Sequence, residues 1–376
     1  MKPEFGVMKL YAVAICTSTL LGLSLAVHND RPVKASNQPS QCDNSEPALK
    51  RSTSSPTQIT TSNYAFAETE VILSEYVQKI SKATCSGGVG VYRHLRAAMD
   101  PTDRTIVRPN FDTMYSFAVL DLSNPATIVM PDTDRLMILS IVSAEHYMPL
   151  VVSEPGSYSI TEELVGTRYA FSIIRTQVNM NDSNDIKKVA SLQDRVKIIQ
   201  SDKGEFIQTE NWDKAERLSM RSEYLKKQKE DKVTSKDMFG KKGEVTPENR
   251  NIGVAYGWGG LPEKAAVYPV IPIPNSSSEM VLTLKDVPIA QNAFWSVTIY
   301  DKDGFVKGKN FNINSTFAKQ QSKGDYKIHF GADSLQDNFL EVYPGSKQPF
   351  EFILHKNPTL TGAGRYQHYK HSAIKS

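Results

Sequence analysis

Between residues 113 and 178 short apolar runs alternate with clusters of Pro, Asp, Asn and Gly, a rhythm that predicts strands and tight turns. Residues 114–122 read as a strand closed by the breaker cluster Asp121-Leu122-Ser123-Asn124-Pro125. Residues 126–130 and 135–143 are rich in Ile, Val and Leu, and Pro131-Asp132-Thr133-Asp134 between them predicts a hairpin. Residues 158–161 and 168–178 continue the series across a turn at Gly166. A helical period appears on either side. Val71, Ile72, Tyr76, Val77 and Ile80 predict a helix over 67–83, stopped by Cys85-Ser86-Gly87-Gly88. Ile186, Val189, Leu192, Val196 and Ile199 predict a second over 185–199, capped by Asp182 or Ser183. Residues 212–231 form a charge-dense third. Its Lys226-Lys227-Gln228-Lys229 run, with acids interspersed, reads as a solvated face. Residues 232–250 read as an exposed connection.

The β pattern then returns at 279–284, 293–300, 305–307, 326–330 and 349–355, with a glycine turn at Asp301-Lys302-Asp303-Gly304. Trp295 and Tyr300 stand out of phase on one strand, so only one of them is expected to face the core. Short strands with regular punctuation predict a mainly β chain built of sandwiches, with a helical segment between two halves.

Both ends carry a different signature. Lys2 and Lys9 precede an uncharged apolar run over 10–27, the form of a secretory signal peptide. Ser24-Leu25-Ala26 and Val33-Lys34-Ala35 compete as the cut, and residue 35 is its outer bound. An uncleaved anchor is the rival reading. It is opposed by Thr17, Ser18 and Thr19 and by a run of about 18 residues, at the lower limit for spanning. Cleavage leaves no stable membrane insertion, so a periplasmic or secreted location is expected. Cys42 and Cys85 then remain as an even pair in an oxidising compartment, a candidate disulfide beside the alternative of two separate thiols.

Three segments together resemble a bacterial two-domain family of unsettled function, domain of unknown function 1254 followed by domain of unknown function 1214. The first is Arg108-Pro109-Asn110-Phe111-Asp112-Thr113-Met114-Tyr115, with Val165-Gly166-Thr167-Arg168-Tyr169 after it. Next comes Tyr256-Gly257-Trp258-Gly259-Gly260-Leu261-Pro262, and last Phe294-Trp295-Ser296-Val297-Thr298-Ile299-Tyr300-Asp301 with Asp303-Gly304. The resemblance spans residues 60–358. It implies an immunoglobulin-like β-sandwich followed by a jelly-roll-like β-sandwich, and it supplies no catalytic residue. Where that family carries an Arg-Leu-Tyr-Pro-like strand, this chain has Phe352-Ile353-Leu354-His355-Lys356-Asn357-Pro358, so no site built on that Arg and Tyr is carried over. The expected organisation is a signal peptide over 1–35, a disordered linker over 36–60 and an N-terminal sandwich over 61–180. A helical linker region over 181–250, a jelly-roll-like domain over 251–358 and a basic tail over 359–376 complete it.

The 44 basic and 41 acidic groups leave a net charge of +3, which gives no argument for nucleic acid as a partner. Alternation in an extended segment would line Arg108, Asn110 and Asp112 along one side, with Tyr115 close by, a set suited to sugar hydroxyls or a cation. The bland alternative is an Asx-type turn with a buried ion pair. His146, in the loop after a strand, could serve as a base or metal ligand, or be a hydrogen-bonded surface or core histidine. Trp258 in its glycine-rich loop is either a packing residue at a junction or an aromatic ligand platform. There is no metal-ligand spacing, nucleophile elbow or phosphate cradle, so neither a metal nor a cofactor is expected. Three functional readings follow: binding of a small polar or carbohydrate-like ligand or a partner between two β domains; a hydrolase or lyase joining Asp112, His146 and Arg168 in a cleft at the domain junction; or an assembly protein, a homo-oligomer, with the 16 Tyr and 15 Phe suiting an interface and a ligand groove equally.

Overall fold

The computed structural model describes residues 46–97, 100–102, 110–267, 270–272, 280–284, 293–301, 305–322, 325–331, 335–342 and 349–355. The expected leader and tail, Cys42, Arg108 and most of the turn after Asp301 lie outside these residues. The chain begins with β1 (Leu49–Arg51), α1 (Tyr64–Thr84), β2 (Arg93–His94), β3 (Thr113–Asp121), β4 (Ala126–Met130), β5 (Met137–Ser143) and β6 (Leu150–Val152). It continues with β7 (Gly156–Ile160), α2 (Glu162–Val165), β8 (Tyr169–Gln177), α3 (Ser183–Gln193), β9 (Lys197–Gln200) and β10 (Phe206–Gln208). Three helices follow: α4 (Lys214–Glu230), α5 (Ser235–Met238) and α6 (Pro247–Gly257).

β8 organises this half. It is buried along almost its whole length, as is β5, so both faces of their sheet must be covered. The sheet is antiparallel, in the order β2-β3-β8-β5-β6. On one face Leu120, Leu139, Ile141 and Ile174 pack against Ala126, Ile128 and Ile160 of a three-stranded sheet, β7-β4-β9. On the other face Phe117, Val119, Phe171 and Ile173 pack against helices, through Leu73 and Val77 of α1 and Ile252 of α6. Each such side chain taken from water contributes about 1.5–3 kcal/mol.

That helical layer corrects the mainly β expectation: the structure is mixed, with 31% strand and 26% helix. The helices placed at 181–250 do not read as a linker once folded. Tyr224 of α4 stacks on Tyr64 of α1, 5.0 Å between ring centres, and Arg217 and Arg221 both pair with the buried Glu68 of α1. Residues 232–250 are not a bare connection, since Met238 and Phe239 join the core. Nor is the described part of the 36–60 segment free, because β1 pairs in parallel with β10. The Pro131–Asp134 turn makes no hairpin: β4 joins β7 and β9, while β5 joins β8 and β6. Accessibility explains the difference, because β4 alternates buried with half-buried residues while β5 is buried throughout. The helix expected over 185–199 ends at Gln193, and its last apolar residues pair with β4 instead. Its cap is Asp182, whose side chain accepts from the Asn184 N–H.

The second half contributes β11 (Ala266–Val267), β12 (Val270–Pro272), β13 (Met280–Leu284), β14 (Trp295–Ile299), β15 (Asn312–Asn314) and β16 (Gln320–Ser322). It ends with β17 (Asp325–Gly331), β18 (Phe339–Glu341) and β19 (Pro349–His355). One sheet runs β11-β19-β14-β15, with β12 also on β19; the other runs β13-β17-β16, with β18 on β17. Leu284, Trp295, Val297, Ile313, Tyr326 and Ile328 form the core between them. Residues 305–307 form no strand, although Asp301 and Phe305 close a turn through their backbone. Trp295 alone faces the core between these sheets, as expected from its phase, yet Tyr300 is buried too. The reason is a second covered face. Tyr300 packs with Phe111, and Phe294 packs with Leu136 and Ile138, so the first half lies against this sheet.

Candidate functional site

The polar residues singled out at the start of β3 hold the fold together. Asn110 Oδ1 accepts the Asp112 N–H at 2.7 Å, an Asx turn that breaks the extended alternation assumed for this segment. Asp112 is fully buried. Its Oδ1 accepts from Asn314 Nδ2 at 2.8 Å and Asn312 Nδ2 at 3.1 Å, both on β15, while Oδ2 has no hydrogen-bond partner. Burial pushes its carboxyl above the usual range, against the opposing influence of Ser296, Asn314 and Asn312. Arg168 makes a two-pronged pair with Asp121, at 2.9 and 2.8 Å. Loss of water raises Asp121, but Arg168 and Ser123 outweigh it and hold the carboxyl at about 2. Asp112 precedes the first residue of β3 and Arg168 pairs with its last. Nine strand residues separate them by about 30 Å, so the cleft expected for Asp112, His146 and Arg168 does not form.

His146 and Trp258 do come together, around the loop that follows α6, and Tyr115 is linked to that loop through Arg175. His146 lies midway along the β5–β6 connection in a left-handed conformation, φ 63°. Its buried Nε2 accepts the Gly259 N–H at 2.9 Å, so the ring is neutral with its proton on Nδ1. Burial and then the nearby Arg250 lower its pKa to about 3. Trp258 donates from Nε1 to Thr69 Oγ1 of α1 at 3.1 Å, and its ring packs on Phe171 and His146. Gly259 itself has φ 74°, and an added Cβ would lie 2.9 Å from Ile173 Cδ1. The loop is thus pinned from the sheet, from α1 and from the β5–β6 turn.

The fourth hold on this loop is Arg175, which the sequence reading counted only as part of a strand. It lies on central β8, opposite Tyr115 of β3 on one side and Ile138 of β5 on the other. The residue is 8% exposed. Its guanidinium donates to Gly259 O at 2.7 Å and Ser140 Oγ at 3.2 Å, and sits 5.5 Å from the Tyr115 ring centre. Among the described residues no carboxylate lies within ion-pair distance. Tyr76 of α1 covers Phe117 and Phe171, and its hydroxyl feels the charges of Arg93, Glu75 and Arg175, with Tyr115 beside them. Burial, above all, raises the Tyr76 hydroxyl to about 12, so it stays a neutral donor. Lys79 lies over the Tyr76 ring at 5.2 Å. Half-buried Tyr76 and Tyr115 therefore stand near a buried cation, with half-buried Arg93 also within reach of Tyr76. Such a set can hold an anionic group against aromatic walls. The signal in the sequence was a charge inside the apolar run Phe171-Ser172-Ile173-Ile174-Arg175.

Among the described residues no group of three His, Cys, Asp or Glu side chains could hold a metal ion, and no helix is long and apolar enough to cross a membrane. Cys85 is disulfide-bonded, and its partner lies outside the described residues.

Residues 89–200 match the family model described as protein of unknown function, DUF1254. The second-half family expected from the resemblance, DUF1214, is not found. No curated protein matches. The fold is shared with the crystal structure of the VPA0106 protein from Vibrio parahaemolyticus, TM-score 0.57 at 15% identity, over 79% of this chain and 93% of that one. An uncharacterized protein from Burkholderia cenocepacia aligns with TM-score 0.44 at 11% identity, over 78% of this chain and 83% of that one.

Proposed function

We propose that this is an exported protein that binds a small organic anion, gripped by Arg175 on the helix-facing side of the five-stranded sheet, beside α1. One observation carries the reading: Arg175 is buried on an apolar sheet face with no acid beside it among the described residues. A buried charge without a counter-charge costs several kcal/mol, a cost that a bound anion would offset. A guanidinium has five N–H groups. Ser140 and Gly259 use two of them, and a carboxylate can take others in the same plane. Half-buried Tyr115 and Tyr76 stand near it and offer hydroxyl donors and flat ring faces. This narrows the polar-ligand expectation to an anion, and moves it from Asn110 and Asp112 to Arg175. Export is supported by the basic and apolar start of the chain and by the disulfide at Cys85.

The test is thermal unfolding of the purified protein with millimolar acetate, benzoate, glucose or calcium chloride. A ligand that binds the native state raises the melting temperature, by about 2.7 kcal/mol of stability at a hundredfold excess over Kd. The carboxylates are expected to do so, and Arg175→Met to abolish the shift while keeping the unliganded protein folded. A shift with glucose alone, or one that survives Arg175→Met, would refute the reading.

A further inference from the structure

Resting on that reading, we infer that the ligand carries two anionic groups at the ends of a short apolar body, one for Arg175 and one for Arg93. Arg93 lies on edge strand β2, directly opposite Phe117 of β3, and Phe117 is opposite Ile173 of β8. Paired residues project to the same face, so Arg93 faces the helical layer, as Arg175 does two residues beyond Ile173. Two strand spacings and a two-residue offset put their Cα atoms about 12 Å apart. Both guanidinium charges reach the Tyr76 hydroxyl. Arg93 makes no ion pair among the described residues. The acidic group that also reaches Tyr76 is Glu75, exposed on α1, and Lys79 on the same helix adds a third cation.

The two arginines have different environments. Arg175 is buried and fixed by Ser140 and Gly259, whereas Arg93 is half-buried at the sheet edge. Tyr115 lies between their strands, stacked on Phe117 with ring centres 5.3 Å apart, and Tyr76 covers Phe117 from α1. A single small anion on Arg175 leaves Arg93 without a counter-charge. A dicarboxylate laid across Tyr115 places its apolar middle on the ring and a carboxylate at each guanidinium. The fixed end would set orientation, and the edge end would select for the second charge.

Isothermal titration of the full chain with acetate, butanoate, inorganic phosphate and a dicarboxylate series from succinate to suberate tests this. A second charge-assisted contact is expected to favour the best dicarboxylate over butanoate by about tenfold or more. Affinity should pass through a maximum along the series. Arg93→Gln should bring that dicarboxylate down to the butanoate level and leave butanoate unchanged; Arg175→Met should abolish both. Equal binding of butanoate and dicarboxylates, phosphate binding as tightly as the best of them, or a preference that survives Arg93→Gln would overturn the dianion while leaving an Arg175 anion site. No binding by any of these anions would overturn both.

Discussion

A carboxyl group that loses its water and gains no cation is favoured in its protonated form, and Asp112 is such a group. Its partners on Oδ1 are two amide N–H donors, which tolerate either protonation state. Because the folded pKa is raised, the folded state holds the proton more tightly than the unfolded chain. The stabilising contribution is complete below the unfolded value of about 3.9 and declines as pH climbs towards the folded value. Asp112→Asn keeps the shape and removes the titration. The amide oxygen can accept from Asn312 and Asn314, and its NH2 can donate towards Ser296. The expected result is a variant more stable than the parent at pH 7, with the advantage shrinking as pH falls to about 4. Denaturant titrations of both proteins at several pH values measure this difference, in which every other carboxylate cancels. A constant difference across that range would show that Asp112 is ionised in the fold.

At the level of elements, the loop after α6 depends on a glycine that meets two demands at once, a left-handed φ and closeness to Ile173. Gly259→Ala is expected to cost at least about 1–2 kcal/mol from backbone conformation alone, and more from the contact. Ile173→Val deletes the offending Cδ1 and by itself costs about 0.5–1.5 kcal/mol. Made in the Gly259→Ala background, that change should cost less or become favourable. Simple additivity of the two losses would argue against the contact. Helical period revealed α1, charge density α4, and apolar runs between turn clusters β3, β4 and β8, each to within a few residues. None of these signals could reveal which strands pair. Residues 197–200 carry apolar positions that fit both the end of a helix and a strand, and only the open edge of β4 decides. The candidate site was half legible. Tyr115, His146 and Trp258 stood out as polar or aromatic residues near turns, but Arg175 was hidden inside a strand. Its isolation depends on which helices cover that face, information spread over residues 64–257.

On the scale of the whole molecule, all described residues belong to one compact unit, and the contacts between the β-rich halves explain why. Asp112 at the start of β3 reaches Asn312 and Asn314 on β15, Phe111 meets Tyr300 and Phe311, and Phe294 fills a pocket with Leu136, Ile138 and Leu261. The face of β14 turned away from its own sandwich core is therefore as dry as the core itself. Its residues Ser296 and Thr298 are polar yet buried, whereas the outer face of a sheet that folded alone would leave such residues in water. Cooperative unfolding of both halves is the consequence. Phe294→Ala removes a buried aromatic from the junction, where such a change costs about 3–5 kcal/mol. In a protein whose halves unfold together, that loss should lower the melting temperature reported by every probe alike: far-ultraviolet dichroism, which follows the helices of the first half, and tryptophan fluorescence, which includes Trp295 of the second. Calorimetry should show one peak before and after the substitution. Two peaks, with only one of them displaced by Phe294→Ala, would mean that the halves are separate folding units whose contact contributes little stability.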